Sequence, residues 1–279
     1  MVLNQHEIDK IIKFVKQEPK TVQDISKLIK RSWVTTNSYL QKIKDQTGQI
    51  NIKTFREGTQ GALKIVYFNH KETLVSDEIK EELFNQIRIG KAKTDFDFFE
   101  VFQFIPEEEK KAFYEEYDNE DISTNQKLIP LLRKTERTIY FFSGNLSFIN
   151  LSEDEKNILE LIEELLQKKI LIKILCRVNI ATITNLSKLL PLIQKYPDLI
   201  EIKHCYQPLR GFIIDETVAR FKNEEALENY KKGELQKNLR IFYEIYNQEW
   251  IEWLQRVFWN LFRANIDYNS RLKQFKKFF

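Results

Sequence analysis

The chain has 279 residues, enough for two ordinary domains with a sizeable core, and 42% of them are hydrophobic, 13% aromatic and 30% charged. A net charge of +3 is too near neutral to demand a polyanion partner for the chain as a whole. No apolar run reaches the roughly 18 residues that a membrane span needs, and "MVLNQHEIDKIIKF" lacks the apolar core of a signal peptide, so a cytoplasmic protein without a membrane partner is expected.

Residues 4–17 place Ile8, Ile11, Ile12 and Val15 on one helical face, and Pro19 closes that helix. "TVQDISKLIKRS" predicts a second amphipathic helix, with Thr21 as N-cap and Asp24 completing a capping-box arrangement. "WVTTNSYLQKIKDQTG" predicts a third, ending at Gly48 in a left-handed cap. Val34, Leu40 and Ile43 are its expected packing face. Thr35, Thr36, Asn37, Ser38 and Gln41 are left outside, with Lys44 beside them. Two strands follow, "QINIKTFRE" and "ALKIVYFN", joined by "GTQG". Three helices and then a hairpin is the order of a winged helix-turn-helix, whose third helix enters the major groove of DNA.

Charge sharpens that expectation. Residues 1–70 hold 12 Lys and Arg against 6 Asp and Glu, a local excess that attracts duplex phosphates. Lys53, Arg56, Gln60 and Lys64 flank or form the turn and are expected phosphate or minor-groove contacts. Asn and Gln on the third helix suit adenine edges.

Residues 71–133 read as a helical, acidic connector. "PEEEKKAFYEEYDNED" within it is expected to be a solvated helix. From 134 onward strands and helices alternate, predicting an α/β layer over 134–279. "RTIYFFSGNLSFIN", "ILIKILCRV", "IEIKHCYQ" and "GFIIDETVARF" supply strands. "DEKNILELIEELLQKK" and "NLSKLLPLIQKYP" supply helices. The "FFSGNLS" loop around Ser143 falls at the sheet's C-terminal edge, where ligands tend to bind. Cys176 and Cys205 lie in apolar strands and are expected to be buried thiols in a reducing compartment. "ELQKNLRIFYEIYNQEWIEWLQRVFWNLFRAN" is expected to form one long aromatic helix. Its apolar surface exceeds one face, and Trp253, Phe258 and Phe262 are the candidate contacts of a homodimer.

The run "SWVTTNSYLQKIKDQTGQINIKTFREGTQGALKIVYFN" resembles the winged-helix domains of archaeal transcription regulators. Residues 134–225 resemble half of a phospholipase D-like domain, whose signature is HxKxxxxD followed by an asparagine loop. In "PLRGFIID" Arg210 matches the basic phosphate clamp and Asp215 the acid, and in "RFKNEE" Asn223 matches the loop asparagine. Pro208 occupies the place of the nucleophilic histidine. The resemblance therefore implies a catalytically dead domain like the effector-binding part of TrmB-type regulators, with Arg210, Asp215 and Asn223 lining an anion pocket or, for Arg210 and Asp215, forming an ion pair. His204 could replace the lost nucleophile only by folding back across six residues, roughly 20 Å if extended.

No Walker A run or GxGxxG is present, and His6, His70 and His204 make no metal-ligand spacing with the cysteines. No cofactor or metal is expected. The mixed α/β reading is thus a double-stranded DNA-binding, nucleoid-associated protein, regulator or architectural, with a non-enzymatic C-terminal domain for dimerisation or small-molecule sensing. The alternatives are a phosphodiesterase or nuclease of altered type and a protein–protein adaptor.

Overall fold

Ile8, Ile11 and Val15 are buried along one face of α1 (Gln5–Gln17), as their spacing requires. A two-residue strand, β1 (Lys20–Thr21), leads into α2 (Val22–Ile29). The capping box at its start is complete: the Thr21 hydroxyl accepts the Asp24 N–H at 3.1 Å, and the Asp24 carboxylate accepts the Thr21 N–H at 3.3 Å. Lys30, in the left-handed conformation, ends it. Then come α3 (Trp33–Thr47) and the hairpin β2 (Ile50–Arg56) and β3 (Leu63–Phe68), with β3 central in the order β1-β3-β2. The computed structural model describes residues 3, 5–47, 49–56, 63–68, 77–117, 127–153, 156–230, 235 and 237–275. Gly48 and its expected cap lie outside them, as does Gln60.

The rest of the chain is a mixed α/β body. Its elements are α4 (Asp77–Ile89), α5 (Phe99–Phe102), β4 (Lys110–Tyr117), α6 (Leu128–Leu132), β5 (Thr138–Phe142) and the small pair β6 (Ser152–Glu153) and β7 (Lys156–Asn157). They continue with α7 (Ile158–Gln167), β8 (Leu171–Cys176), α8 (Ile180–Lys195), β9 (Ile200–His204), β10 (Gly211–Ile214) and β11 (Val218–Glu225). The last are β12 (Asn238–Ile245), α9 (Gln248–Ala264), β13 (Ile266–Asp267) and α10 (Tyr268–Phe275). Eight strands form one sheet in the order β13-β9-β8-β5-β10-β11-β12-β4. β9, β8 and β5 run parallel, and every other pairing in it is antiparallel.

Alternation along β5 explains the layering. Ile139 and Phe141 join the cluster under α6, α7 and α8, whereas Tyr140 and Phe142 join the opposite one under α4, α5 and α9. The second cluster also takes in the hairpin. Phe55, Leu63 and Tyr67 are buried in it, with ring centroids 6.2 Å from Phe55 to Phe99, 6.4 Å from Phe55 to Tyr243 and 5.3 Å from Tyr67 to Phe99. One face of the hairpin therefore rests on the α/β body.

Two expectations are corrected. The acidic segment is not a solvated helix: after a short helical turn, residues 110–117 are edge strand β4, and its charges face partners on β12, with Lys111 opposite Glu244 and Glu115 opposite Arg240. The C-terminal aromatic run is also not one helix. Leu239, Ile241, Tyr243 and Ile245 alternate inward along β12, and α9 starts only after its cap Asn247, whose side chain accepts the Trp250 N–H at 3.0 Å.

Candidate functional site

Two regions carry side chains that the fold does not consume. The first is the outer face of α3. Ser32 caps this helix, its hydroxyl accepting the Thr35 N–H at 3.1 Å. Tyr39, Leu40 and Ile43 bury the inner face. Thr36 joins them: it is fully buried and its hydroxyl donates to the Ser32 carbonyl at 2.9 Å, so it cannot face a groove. Val34 does the reverse. It was expected to pack inward, yet it is 73% exposed, because the helix begins at Trp33 and turns position 34 outward. Val34, Ser38 and Gln41 then lie one above another, with Thr35, Asn37 and Lys44 partly exposed beside them. Gln41 donates to Asp45 at 3.2 Å on the same face.

The hairpin residues divide. Lys53 and Lys64 are partly exposed, and the Lys64 ammonium sits 5.9 Å above the Trp33 ring, tying β3 to the start of α3. Arg56 closes β2, and its side chain lies outside the described residues.

The second region is a cavity of about 540 Å³ at the C-terminal ends of β5 and β8, where the parallel strands meet antiparallel β10. Phe141, Phe212 and Arg220 form one cross-strand row on its floor. Lys222 and Phe242 form the next. The loop after β5 supplies Ser143, Gly144, Asn145 and Phe148, and the residue after β8 supplies Arg177. Gly144 has a steric duty here: a Cβ on it would lie 2.9 Å from Arg210 Nε and Nη2, so a side chain there would push the guanidinium off the loop.

Five cations line the cavity among the described residues: Lys93, Arg177, Arg210, Arg220 and Lys222. Arg220 is taken by Glu244, its Nε donating at 2.8 Å. Glu224 is shared by Lys222, at 3.0 Å, and Lys93. Burial alone would raise the Glu224 carboxyl, but Lys222 and Lys93 pull it down to about 2. Arg210 donates to the carbonyls of Gln207 at 3.0 Å and Leu209 at 2.6 Å. Burial, and then the neighbouring charge of Arg177, lower Arg210 to about 10. Arg177 has a buried Nε with no hydrogen-bond partner among the described residues.

The other expected pocket residues are elsewhere. Asp215 sits at the far end of β10 from Arg210, so the two form no ion pair. Its carboxylate accepts the N–H groups of Glu136, Arg137 and Thr138 at 2.6, 2.8 and 2.7 Å, and its φ of 48° places it in the left-handed region. Asn223 lies within β11 rather than in a loop, and it contacts Asp97 and the Phe98 N–H on the outer side of the cavity wall. His204 is buried, its Nδ1 accepts the Val178 N–H at 2.9 Å, and burial together with Arg271 lowers it to about 4. Pro208 is buried beside Gly90, whose added Cβ would lie 2.9 Å from Pro208 Cγ.

Trp253, Phe258 and Phe262 are 5%, 0% and 2% exposed, all packed into the chain's own core. None of them is available to a second protomer, because β12 withdraws half of the expected helix into the sheet and α9 alone must cover it. Among the described residues no group of three or more His, Cys, Asp or Glu could hold a metal ion, and no helix is long and apolar enough to cross a membrane.

Sequence reasoning named Arg210 and the Ser143 loop but missed Lys93, Arg177 and Lys222. Arg177 had a legible signal, a cation immediately after the buried strand "ILIKILC" and thus at a C-terminal sheet edge. Lys93 and Lys222 had none, since they arrive through tertiary packing.

No family model matches the chain, and no curated protein matches it in sequence. Among solved structures it is similar to Nuc, a phospholipase D family member from Salmonella typhimurium, with 12% identity, 57% of this chain and 96% of that one covered, and a TM-score of 0.38. It is also similar to TrmBL2, an archaeal chromatin protein with a novel mode of DNA binding, with 13% identity, 95% and 94% covered, and a TM-score of 0.38. NucT from Helicobacter pylori gives 12% identity, 57% and 99% covered, and a TM-score of 0.36. At these scores none of the three decides what this chain does.

Proposed function

We propose that the N-terminal region is a winged helix that binds double-stranded DNA and that the α/β body is a non-catalytic platform for it. The observation that carries the first half is α3. Tyr39, Leu40, Ile43 and Thr36 fix it firmly, while its outer face presents Val34, Ser38 and Gln41 in a region with twice as many basic as acidic residues. An exposed valine suits a thymine methyl, and the short polar groups suit base edges and phosphates. The hairpin has a lesser share, because one of its faces is committed to the body. Helix α3 is therefore the reading element, and Lys53 and Lys64 are flanking phosphate contacts. Binding to duplex DNA should weaken steeply as salt rises, because phosphate contacts release counterions. Affinity that does not change between low and high salt would remove the reading.

The second half rests on nucleophile chemistry. A phosphodiesterase of the resembled type needs a histidine that attacks phosphorus. Pro208 holds that position, and His204 is used up by the Val178 N–H. Ser143 lines the cavity, but its hydroxyl accepts the Leu146 N–H at 3.1 Å and no described histidine stands beside it. The protein is expected to turn over neither bis(p-nitrophenyl) phosphate nor single- or double-stranded DNA, with or without divalent metal. Turnover that disappears in His204→Ala would establish the enzyme instead.

A further inference from the structure

We propose that the cavity beneath the Ser143–Phe148 loop binds a small phosphate monoester, with the phosphate on Arg177 and Arg210 and the rest of the molecule against the phenylalanines of the floor. This gives the non-catalytic body a ligand and rests on its being non-hydrolytic, since the ligand is held and not consumed.

Charge is the first argument. Once Glu244 has neutralised Arg220, and Glu224 stands against Lys222 and Lys93, the two guanidiniums of Arg177 and Arg210 line the cavity with no ion pair to a carboxylate among the described residues, and only the more distant charge of Glu224 acts on Arg210. Two like charges in a partly dry site repel each other, a cost that a dianion between them reverses. Burial first, and then the charge of Arg177, hold Arg210 lower than an ordinary arginine, against the opposing charge of Glu224. A phosphate monoester carries close to two charges at neutral pH and offers three oxygens to the planar donor forks of two arginines. A carboxylate or an internal DNA phosphate carries one.

Shape is the second argument. Gly144 leaves room for the Arg210 guanidinium over the loop, and a side chain there would displace it. Size is the third. A cavity of about 540 Å³ is far larger than an inorganic anion requires, and Phe141, Phe148 and Phe212 give the excess volume an apolar lining. Phe141 and Phe148 stack with centroids 4.6 Å apart, a ready-made flat wall. A phosphorylated sugar or a nucleoside monophosphate fits that division between a charged end and a flat, apolar end.

Calorimetric titration of the full-length chain with AMP, ribose 5-phosphate, adenosine and inorganic phosphate tests the proposal. AMP or ribose 5-phosphate should bind, and adenosine should not. Arg177→Gln should weaken the binding by about tenfold or more, since one charge-assisted pair is lost. Arg210→Gln should do the same, but it also breaks the contacts to Gln207 and Leu209, so Arg177→Gln is the cleaner variant. The bound ester should be recovered intact. Lys42→Ala, exposed on α3 and outside the cavity lining, should leave the affinity for AMP unchanged, and an ester that binds but is recovered hydrolysed would sink the non-catalytic reading and not the site. The proposal is overturned if neither ester binds, if inorganic phosphate alone binds, or if Arg177→Gln binds AMP as the unaltered protein does. It is equally overturned if a single-stranded oligonucleotide without a terminal phosphate takes the site and loses it in Arg177→Gln.

Discussion

His204 shows how a residue type can point to chemistry while its surroundings decide against it. It closes β9 next to the cavity-lining segment, and its Nδ1 must remain unprotonated to accept from Val178. Its folded pKa of about 4 lies below the unfolded value of about 6.5, so between those pH values the unfolded chain binds the extra proton. Its contribution to stability is therefore complete above pH 6.5 and is lost as pH falls toward 4. Denaturant unfolding should show stability falling by roughly 2 kcal/mol from pH 7 to pH 4.5 on this account. His204→Asn, whose side-chain oxygen can accept from Val178, should flatten that fall. An equal fall in the variant would mean that His204 is not the group being titrated. The same contrast separates Arg210 from Asp215. The motif spacing is intact, but β10 runs between them and carries the arginine to the cavity and the aspartate to a backbone cap at the opposite end. Spacing in sequence cannot reveal this, because a strand separates its two ends by its own length.

Among the elements, those with a single strong period were legible. The first three helices follow from their apolar spacing, and the Thr21–Asp24 box forms as the residues imply. β5, β8 and β9 are apolar runs of strand length between helices, which is the signature of buried parallel strands. The failures were elements whose pattern is ambiguous in isolation. Charges in β4 resemble a helix surface until β12 is placed beside it. Aromatic residues in β12 satisfy both a two-residue and a helical period over a short window. The consequence for α9 can be measured. Phe258, fully buried and stacked on Tyr140 at 4.9 Å, should cost about 3–5 kcal/mol when replaced by alanine. Sedimentation should show no change in oligomeric state for the folded variant. A dissociating assembly at unchanged stability would restore α9 as an interface.

At the scale of the whole molecule, Tyr243 of the C-terminal aromatic run serves to join the hairpin to the α/β body. Phe55 meets Tyr243, Tyr243 meets Phe98, and Phe98 stacks on Phe221 at 4.3 Å, a residue that lines the cavity. Docking the hairpin in this way leaves the outer face of α3 uncommitted. Val34 gives the most direct test of its role, because a side chain that is 73% exposed can be replaced without a packing penalty. Duplex DNA binding should be measured by fluorescence anisotropy for the unaltered protein and for Val34→Glu, at low and moderate salt, with thermal stability followed in parallel. The account predicts salt-sensitive binding that Val34→Glu weakens by at least about tenfold, since a carboxylate is then set against the phosphates, with the melting temperature unchanged. Equal affinity in the folded variant, or no duplex binding by the unaltered protein at low salt, would contradict it.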